Sequence, residues 1–127
     1  MLFRSAIRNR GTIGGSLALA DPAAELPACM LALNATMVIA SQRGERHIAA
    51  KDFFKGLYAT ALESTDVLTR IDIPVRRQGW RYYFNEFARR HGDYALAGLA
   101  AALGPNENEA ENLKLVYFGC EIGRAHV

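Results

Sequence analysis

Cysteine and histidine are scarce in this sequence: two cysteines, Cys29 and Cys120, and three scattered histidines, His47, His91 and His126, in 127 residues. Two thiols make no disulfide framework, and the histidines have no ligand spacing, so a disulfide scaffold and an evident zinc module are excluded. No apolar run reaches the roughly 18 residues of a membrane span. The longest candidate, Leu26 to Ala40, is interrupted by Pro27 and Asn34. Met1 to Ser5 has neither a long apolar region nor a cleavage site, so no secretory signal is expected. There is no excess of one charge either. Fifteen basic and thirteen acidic residues leave a net charge of +2, too small and too scattered to suggest nucleic acid. Half the residues are hydrophobic, which is globular composition.

The strongest local signal is Arg10-Gly-Thr-Ile-Gly-Gly-Ser16, with three glycines in five residues and a hydroxyl residue on each side of the Gly-Gly pair. Glycines serve where backbone must approach a ligand closely or take positive φ. Successive free N–H groups can form an anion-binding concavity, to which Thr12 and Ser16 add hydroxyls. The spacing predicts a compact loop over Thr12 to Ser16, a plausible phosphate cradle, followed by a short helical turn. It is neither G-x-x-x-x-G-K-[ST] nor G-x-G-x-x-G, and no serine lies in a G-x-S-x-G context. A structural turn accounts for the same glycines. Asp21 and Glu25 read as capping and helix-dipole residues, and the arginines between 76 and 90 as a solvated face.

Ala23 to Leu33 reads as a helix, with Pro27 early enough to be tolerated. Thr36 to Ser41 is β-branched and reads as a strand, with Gln42 to Glu45 as a turn and Arg46 to Ala49 as its hairpin partner. Lys51 to Phe54 suggests one helical turn bringing two aromatics to a core, and Leu57 to Thr65 is irregular. Asp66 to Ile73 alternates at Val67, Ile71 and Ile73 and stops at Pro74, a half-buried strand. Pro74 to Gly79 looks like a domain boundary or a long connection. Trp80 to Arg90 reads as a strand, His91 to Asp93 as a turn, Asn106 to Asn112 as an acidic loop and Leu113 to Phe118 as a strand. Ala95 to Leu103 is ambiguous, because alanine and leucine favour helix.

Taken together, these segments resemble the FAD-binding medium subunits of molybdenum hydroxylases, the xanthine dehydrogenase and carbon monoxide dehydrogenase type. Ile7 to Pro27 is similar to their second flavin-binding loop, and Phe87 to Gly98 to the start of their C-terminal domain. Asp52-Phe-Phe54 and Leu68 to Pro74 fall between in the expected order. The resemblance implies an α+β fold: residues 6–74 as the C-terminal half of a PCMH-type FAD-binding domain, and 75–120 as the start of the C-terminal flavoprotein domain. It makes Ala95 to Leu103 a strand pairing with Leu113 to Phe118. Its T-[IV]-G-G-[SN] loop carries a diphosphate-binding role to Thr12, Ile13, Gly14, Gly15 and Ser16. Glu25 stands where the family usually has an aspartate beside the cofactor, Leu68 where some members border it, and Tyr94 where a side chain packs on the isoalloxazine. No catalytic acid or base and no metal ligand is implied.

The function implied is electron transfer, from iron–sulfur clusters through FAD to an acceptor, within a multi-subunit oxidoreductase. The iron–sulfur small subunit would carry the [2Fe–2S] clusters and the large subunit the molybdenum cofactor, in the cytoplasm, without nucleic acid or a membrane span. The family's first loop, A-G-G-[TQ]-[DS], should lie well upstream of Thr12, but eleven residues precede it. The chain is therefore expected to be a fragment, inactive alone and without a stable FAD complex. Glu121 to Val127 reads as a translated sequencing adapter and Met1 to Ser5 as its reverse complement, so both ends are expected to be artefactual and unpacked. Two other readings stay open: another FAD-fold oxidoreductase such as an enolpyruvyl reductase, which Asp52-Phe-Phe54 and Gly92 to Ala97 speak against, and a non-catalytic interaction module.

Overall fold

The computed structural model describes residues 9–90, 92–105 and 112–120. Both expected artefactual ends, His91 of the expected turn, and the acidic loop apart from Asn112 lie outside the described residues. The fold is mixed α+β. Helices α1 (Ile13–Leu19) and α2 (Glu25–Ala32) precede strands β1 (Thr36–Ser41) and β2 (Gly44–Ala49), the single turn α3 (Ala50–Phe53), and short strands β3 (Phe54–Gly56) and β4 (Ala59–Thr60). Then come β5 (Val67–Asp72), β6 (Arg81–Phe87), β7 (Ala97–Leu103) and β8 (Leu113–Phe118). They form antiparallel sheets in the orders β2-β1-β5, β3-β4 and β6-β7-β8.

Several expectations change. Thr12 to Ser16 is not a loop: the helix starts at Ile13, inside the motif. Thr12 is extended (φ −123°, ψ 151°), and its Oγ1 accepts the N–H of Gly15 at 3.0 Å. A Cβ on Gly15 would stand 3.0 Å from that oxygen, so glycine here makes room for the cap. The glycines thus serve a helix start, despite their poor intrinsic propensity. The second change is in β5. Val67 is 61% exposed and Ile73 also lies open, while Leu68 and Ile71 pack on the core. The register against β1 shifts between Val38, opposite Arg70, and Ile39, opposite Leu68. Thr69 is the extra residue, and its hydroxyl donates to the Val38 carbonyl at 3.1 Å. A bulge inverts the inward phase of a strand, which brings residues three apart in sequence onto one face.

The ambiguous alanine-rich segment is a strand, β7, between β6 and β8. Its inward positions Gly98, Ala100 and Ala102 are buried. A Cβ on Gly98 would fall 2.2 Å from the Phe118 ring, which stacks on Phe84 with centroids 5.5 Å apart. Part of the expected irregular stretch is strand β4, paired with β3.

Helix α2 is the common wall. Pro27, its third residue, falls where no intrahelical bond is lost. Asn34 ends it in the left-handed region (φ 56°), and Ala35 donates back to Met30 at 3.0 Å. Met30 joins Leu17, Met37, Ile39 and Phe53 in one core, while Ala28 and Ala32, one turn apart, join Ala95, Ala100 and Phe118 in a second.

Candidate functional site

The first turn of α1 collects five of the candidate residues. Helix geometry leaves the N–H groups of Ile13 and Gly14 without an intrahelical acceptor. The N–H of Gly15 is taken by Thr12 Oγ1, and that of Ser16 by the Thr12 carbonyl at 3.1 Å. Among the described residues, nothing outside its chain neighbours and its own helix backbone lies within 4 Å of a Cβ placed on Gly14. Among the described residues the turn therefore presents two backbone donors and an open approach, a donor set that suits a phosphate. Thr12, Ile13 and Gly15 are exposed, and Gly14 and Ser16 half-buried.

Glu25 opens α2 and is half-buried. Burial, and then the charge of Glu25, push the Cys29 thiol upward, which keeps it protonated and unreactive. The expected capping role of Asp21 takes another form: its Oδ1 accepts the Ala23 N–H at 2.9 Å and shapes the turn before α2, whose N-cap is Ala24. Leu68 lies on β5, against which α1 packs, with its side chain turned into the first core by the Thr69 bulge. Tyr94 sits on the other side of α2, before buried Ala95, with its own side chain 69% exposed. The structure thus brings Thr12 to Ser16 together and places Leu68 beneath their helix, while Tyr94 lies in the connection between β6 and β7.

Two features were not visible in the sequence. A cleft of about 300 Å³ opens between the start of α2, β3 and the end of β8, with Asp21, Pro27, Leu31, Lys55, Tyr117 and Cys120 on its walls. None of the eight candidate residues lines it. It forms at the opposite end of α1 from Thr12, where Ala20 takes a left-handed conformation (φ 52°) and its carbonyl accepts the Tyr58 N–H. The second is a polar clamp on the first sheet. Asp66 accepts the Glu63 N–H at 2.7 Å and pairs with Arg46, which also donates to the Ala61 carbonyl. The backbone N–H, and after it the Arg46 guanidinium, hold the Asp66 carboxyl below its ordinary value. Neither could be found locally, since each depends on contacts remote in sequence.

Among the described residues no group of histidine, cysteine and carboxylates could hold a metal ion, and no helix is long and apolar enough to cross a membrane.

Comparison with known proteins places this geometry. Residues 4–76 match the family described as FAD binding domain in molybdopterin dehydrogenase. The glyceraldehyde dehydrogenase medium chain of Sulfolobus acidocaldarius is 43% identical over 113 residues, 89% of this chain and 40% of that protein. The nicotine 6-hydroxylase medium subunit of Paenarthrobacter nicotinovorans is 45% identical over 113 residues, 89% of this chain and 39% of that protein. Among solved structures, carbon monoxide dehydrogenase from Hydrogenophaga pseudoflava superposes with a TM-score of 0.81 at 32% identity, over 89% of this chain and 39% of that one. Quinoline 2-oxidoreductase from Pseudomonas putida 86 gives 0.79 at 47% identity, over 91% and 40%. The chain spans about two fifths of the length of these relatives. With the glycine turn inside the matched region and the same fold in the solved relatives, the chain belongs to the family of FAD-binding domains of molybdopterin dehydrogenases.

Proposed function

We propose that this chain supplies one of the two loops that hold the FAD diphosphate in the medium subunit of a molybdenum-containing hydroxylase or dehydrogenase. Residues 6–74 are the C-terminal half of the FAD domain in this reading, and 75–120 the start of the domain that follows. The observation that carries it is the Thr12–Ser16 turn, with two backbone donors and open space at Gly14, inside the region matching the family. When bound, the flavin supplies the redox chemistry, accepting electrons from iron–sulfur clusters and passing them to an acceptor. The chain binds, orients and shields. Ile13 and Gly14 direct N–H groups at the diphosphate, with the hydroxyls of Thr12 and Ser16 at the edges of the turn and Gly15 giving room for the cap. Glu25 stands beside the cofactor, Leu68 backs it, and the Tyr94 ring covers a flavin face and excludes water. The partners are the iron–sulfur small subunit and the molybdenum-carrying large subunit, in the cytoplasm.

The test is flavin fluorescence during FAD titration of a polypeptide extended to the relatives' length. A Cβ at Gly14 meets nothing among the described residues beyond its own helix and chain neighbours, so Gly14→Leu should preserve the far-UV circular dichroism while abolishing binding. Unchanged binding would remove the turn from the site. The 127-residue chain alone lacks the family's other loop. Each charge-assisted hydrogen bond is worth about 1.5–3 kcal/mol. Losing several removes on the order of 5 kcal/mol, so the short chain should bind FAD roughly four decades more weakly than the extended one.

A further inference from the structure

The sequence of β5 carries two inward patterns, and the structure uses one of them. At strict period two from Ile71, residues Val67, Thr69, Ile71 and Ile73 would share a face. Instead Leu68 and Ile71 pack on the first core, and Val67, Thr69, Arg70 and Asp72 lie away from it. The pairing with β1 shows where the patterns part. Thr36, Met37 and Val38 stand opposite Asp72, Ile71 and Arg70, and then Ile39 and Ala40 stand opposite Leu68 and Val67. After Thr69 the two registers are the same. Before it they differ by one residue: in a regular ladder Ile39 would meet Thr69, and Ala40 would meet Leu68.

The Thr69 hydroxyl decides between them. It donates at 3.1 Å to the carbonyl of Val38, a fully buried residue, at the step where the register shifts. In the regular ladder the same hydroxyl would turn toward the apolar core, at a cost in desolvation. Upstream, Asp66 pairs with Arg46 and accepts the Glu63 N–H, which holds the chain entering β5. Arg46, Ile39 and Leu68 form one row across the three strands. The choice of register reaches α1, which packs on β5. Leu17, the buried residue of α1, shares the first core with Leu68. In the regular ladder Leu68 would leave that core, and Val67 would enter it one strand position away, about 3.4 Å along.

We propose that Thr69 is a positioning residue for the FAD diphosphate: its hydroxyl selects the bulged register, which keeps Leu68 beneath α1 and so aims the N–H groups of Ile13 and Gly14. Thr69 acts through Leu68 and α1, and not by contact with the cofactor. The proposal rests on the FAD reading above and adds to it the residue that seats the turn. Three variants separate the hydroxyl from mere presence of a side chain. Thr69→Val removes the donor and makes the regular ladder's inward position apolar. Thr69→Ser keeps the donor. Deletion of Thr69 removes the extra residue, so a regular ladder then carries Leu68 and Ile71 on one face without any lock.

Register is read in the 127-residue chain from cross-strand nuclear Overhauser contacts of Ile39, which reach Leu68 in the bulged form and residue 69 in the regular one. Affinity is read by flavin fluorescence during FAD titration of the polypeptide extended to the relatives' length. Thr69→Val should move the Ile39 contacts to residue 69. With about a tenth of the molecules left in the bulged register, FAD binding should weaken about tenfold. Thr69→Ser and the deletion should both keep Ile39 against Leu68 and bind FAD as the unsubstituted polypeptide does. Unmoved Ile39 contacts in Thr69→Val would overturn the proposal, and so would a moved register with undiminished affinity. A folded deletion variant that keeps Leu68 opposite Ile39 yet binds tenfold more weakly would overturn it too. Should the deletion variant not fold, the valine and serine variants decide between them. Weakened binding in Gly14→Leu with none in Thr69→Val removes this proposal and leaves the FAD reading standing. An unsubstituted extended polypeptide that binds no FAD removes both.

Discussion

The two faces of α2 solve one packing problem in opposite ways. Toward the first sheet, Met30 meets Leu17, Met37, Ile39 and Phe53, and bulk fills the space. Toward the second, Ala28 and Ala32 meet Ala95, Ala100 and the Phe118 ring, and small residues bring backbone close to backbone. The first arrangement draws its stability from area removed from water. The second buries little area per residue and depends on fit, so it should tolerate lost atoms better than added ones.

The largest effect should come from removing bulk. Phe53 is fully buried in the first core, and Phe53→Ala should cost about 3–5 kcal/mol, read as a lowered midpoint in urea unfolding. If the cost were below about 1 kcal/mol, the first core would not depend on volume and the contrast would fail. The opposite change tests the second core. Gly98→Val places carbon where the Phe118 ring lies, and should cost about 1–3 kcal/mol with loss of near-UV signal from the Phe84–Phe118 stack. Amide exchange should rise in β7 and β8 before β1, and uniform acceleration through both sheets would show that the two cores unfold as one.

Acid gives the smallest effect and separates the regions by charge. Asp66 is held below its ordinary value of 3.8 by the Glu63 N–H and by Arg46, and Asp72 by Arg70. Both lie on or beside the first sheet. A depressed folded value means stability that is complete above the ordinary value and lost as pH falls through the folded one. The urea midpoint should be flat from pH 7 to about 5 and decline below about 4, with Asp66→Asn shallower in that decline. A midpoint falling already near pH 6 would point to another group.

The contrast also shows what was legible in the sequence. The strands at Thr36 to Ser41 and Leu113 to Phe118 were readable to the residue, because β-branched and apolar runs state their own conformation. Ala95 to Leu103 was not. Alanine reads as helix in isolation, and only the family resemblance made it a strand, since the demand for small residues comes from the α2 stripe and the Phe118 ring. The Thr69 bulge was hidden for a related reason: register belongs to two strands, so Leu68 facing inward could not be read from β5 alone. The grouping of Thr12 to Ser16 was legible, but its conformation was not. Glycine spacing suggests a loop, and the Thr12 cap that converts it to a helix start is a contact three residues long.

The shared helix also sets a timetable for synthesis. The partners of Met30 in β1 are made within ten residues of it, whereas Phe118 follows Ala32 by 86 residues. At about 5–20 residues per second the alanine face of α2 waits roughly 4–17 s for its cover. A methyl stripe offers little surface to passing chains during that interval. A leucine at Ala28 would hold a sticky face open for the same time, so the cost of that substitution would fall on the yield of nascent chains before it reached the finished fold.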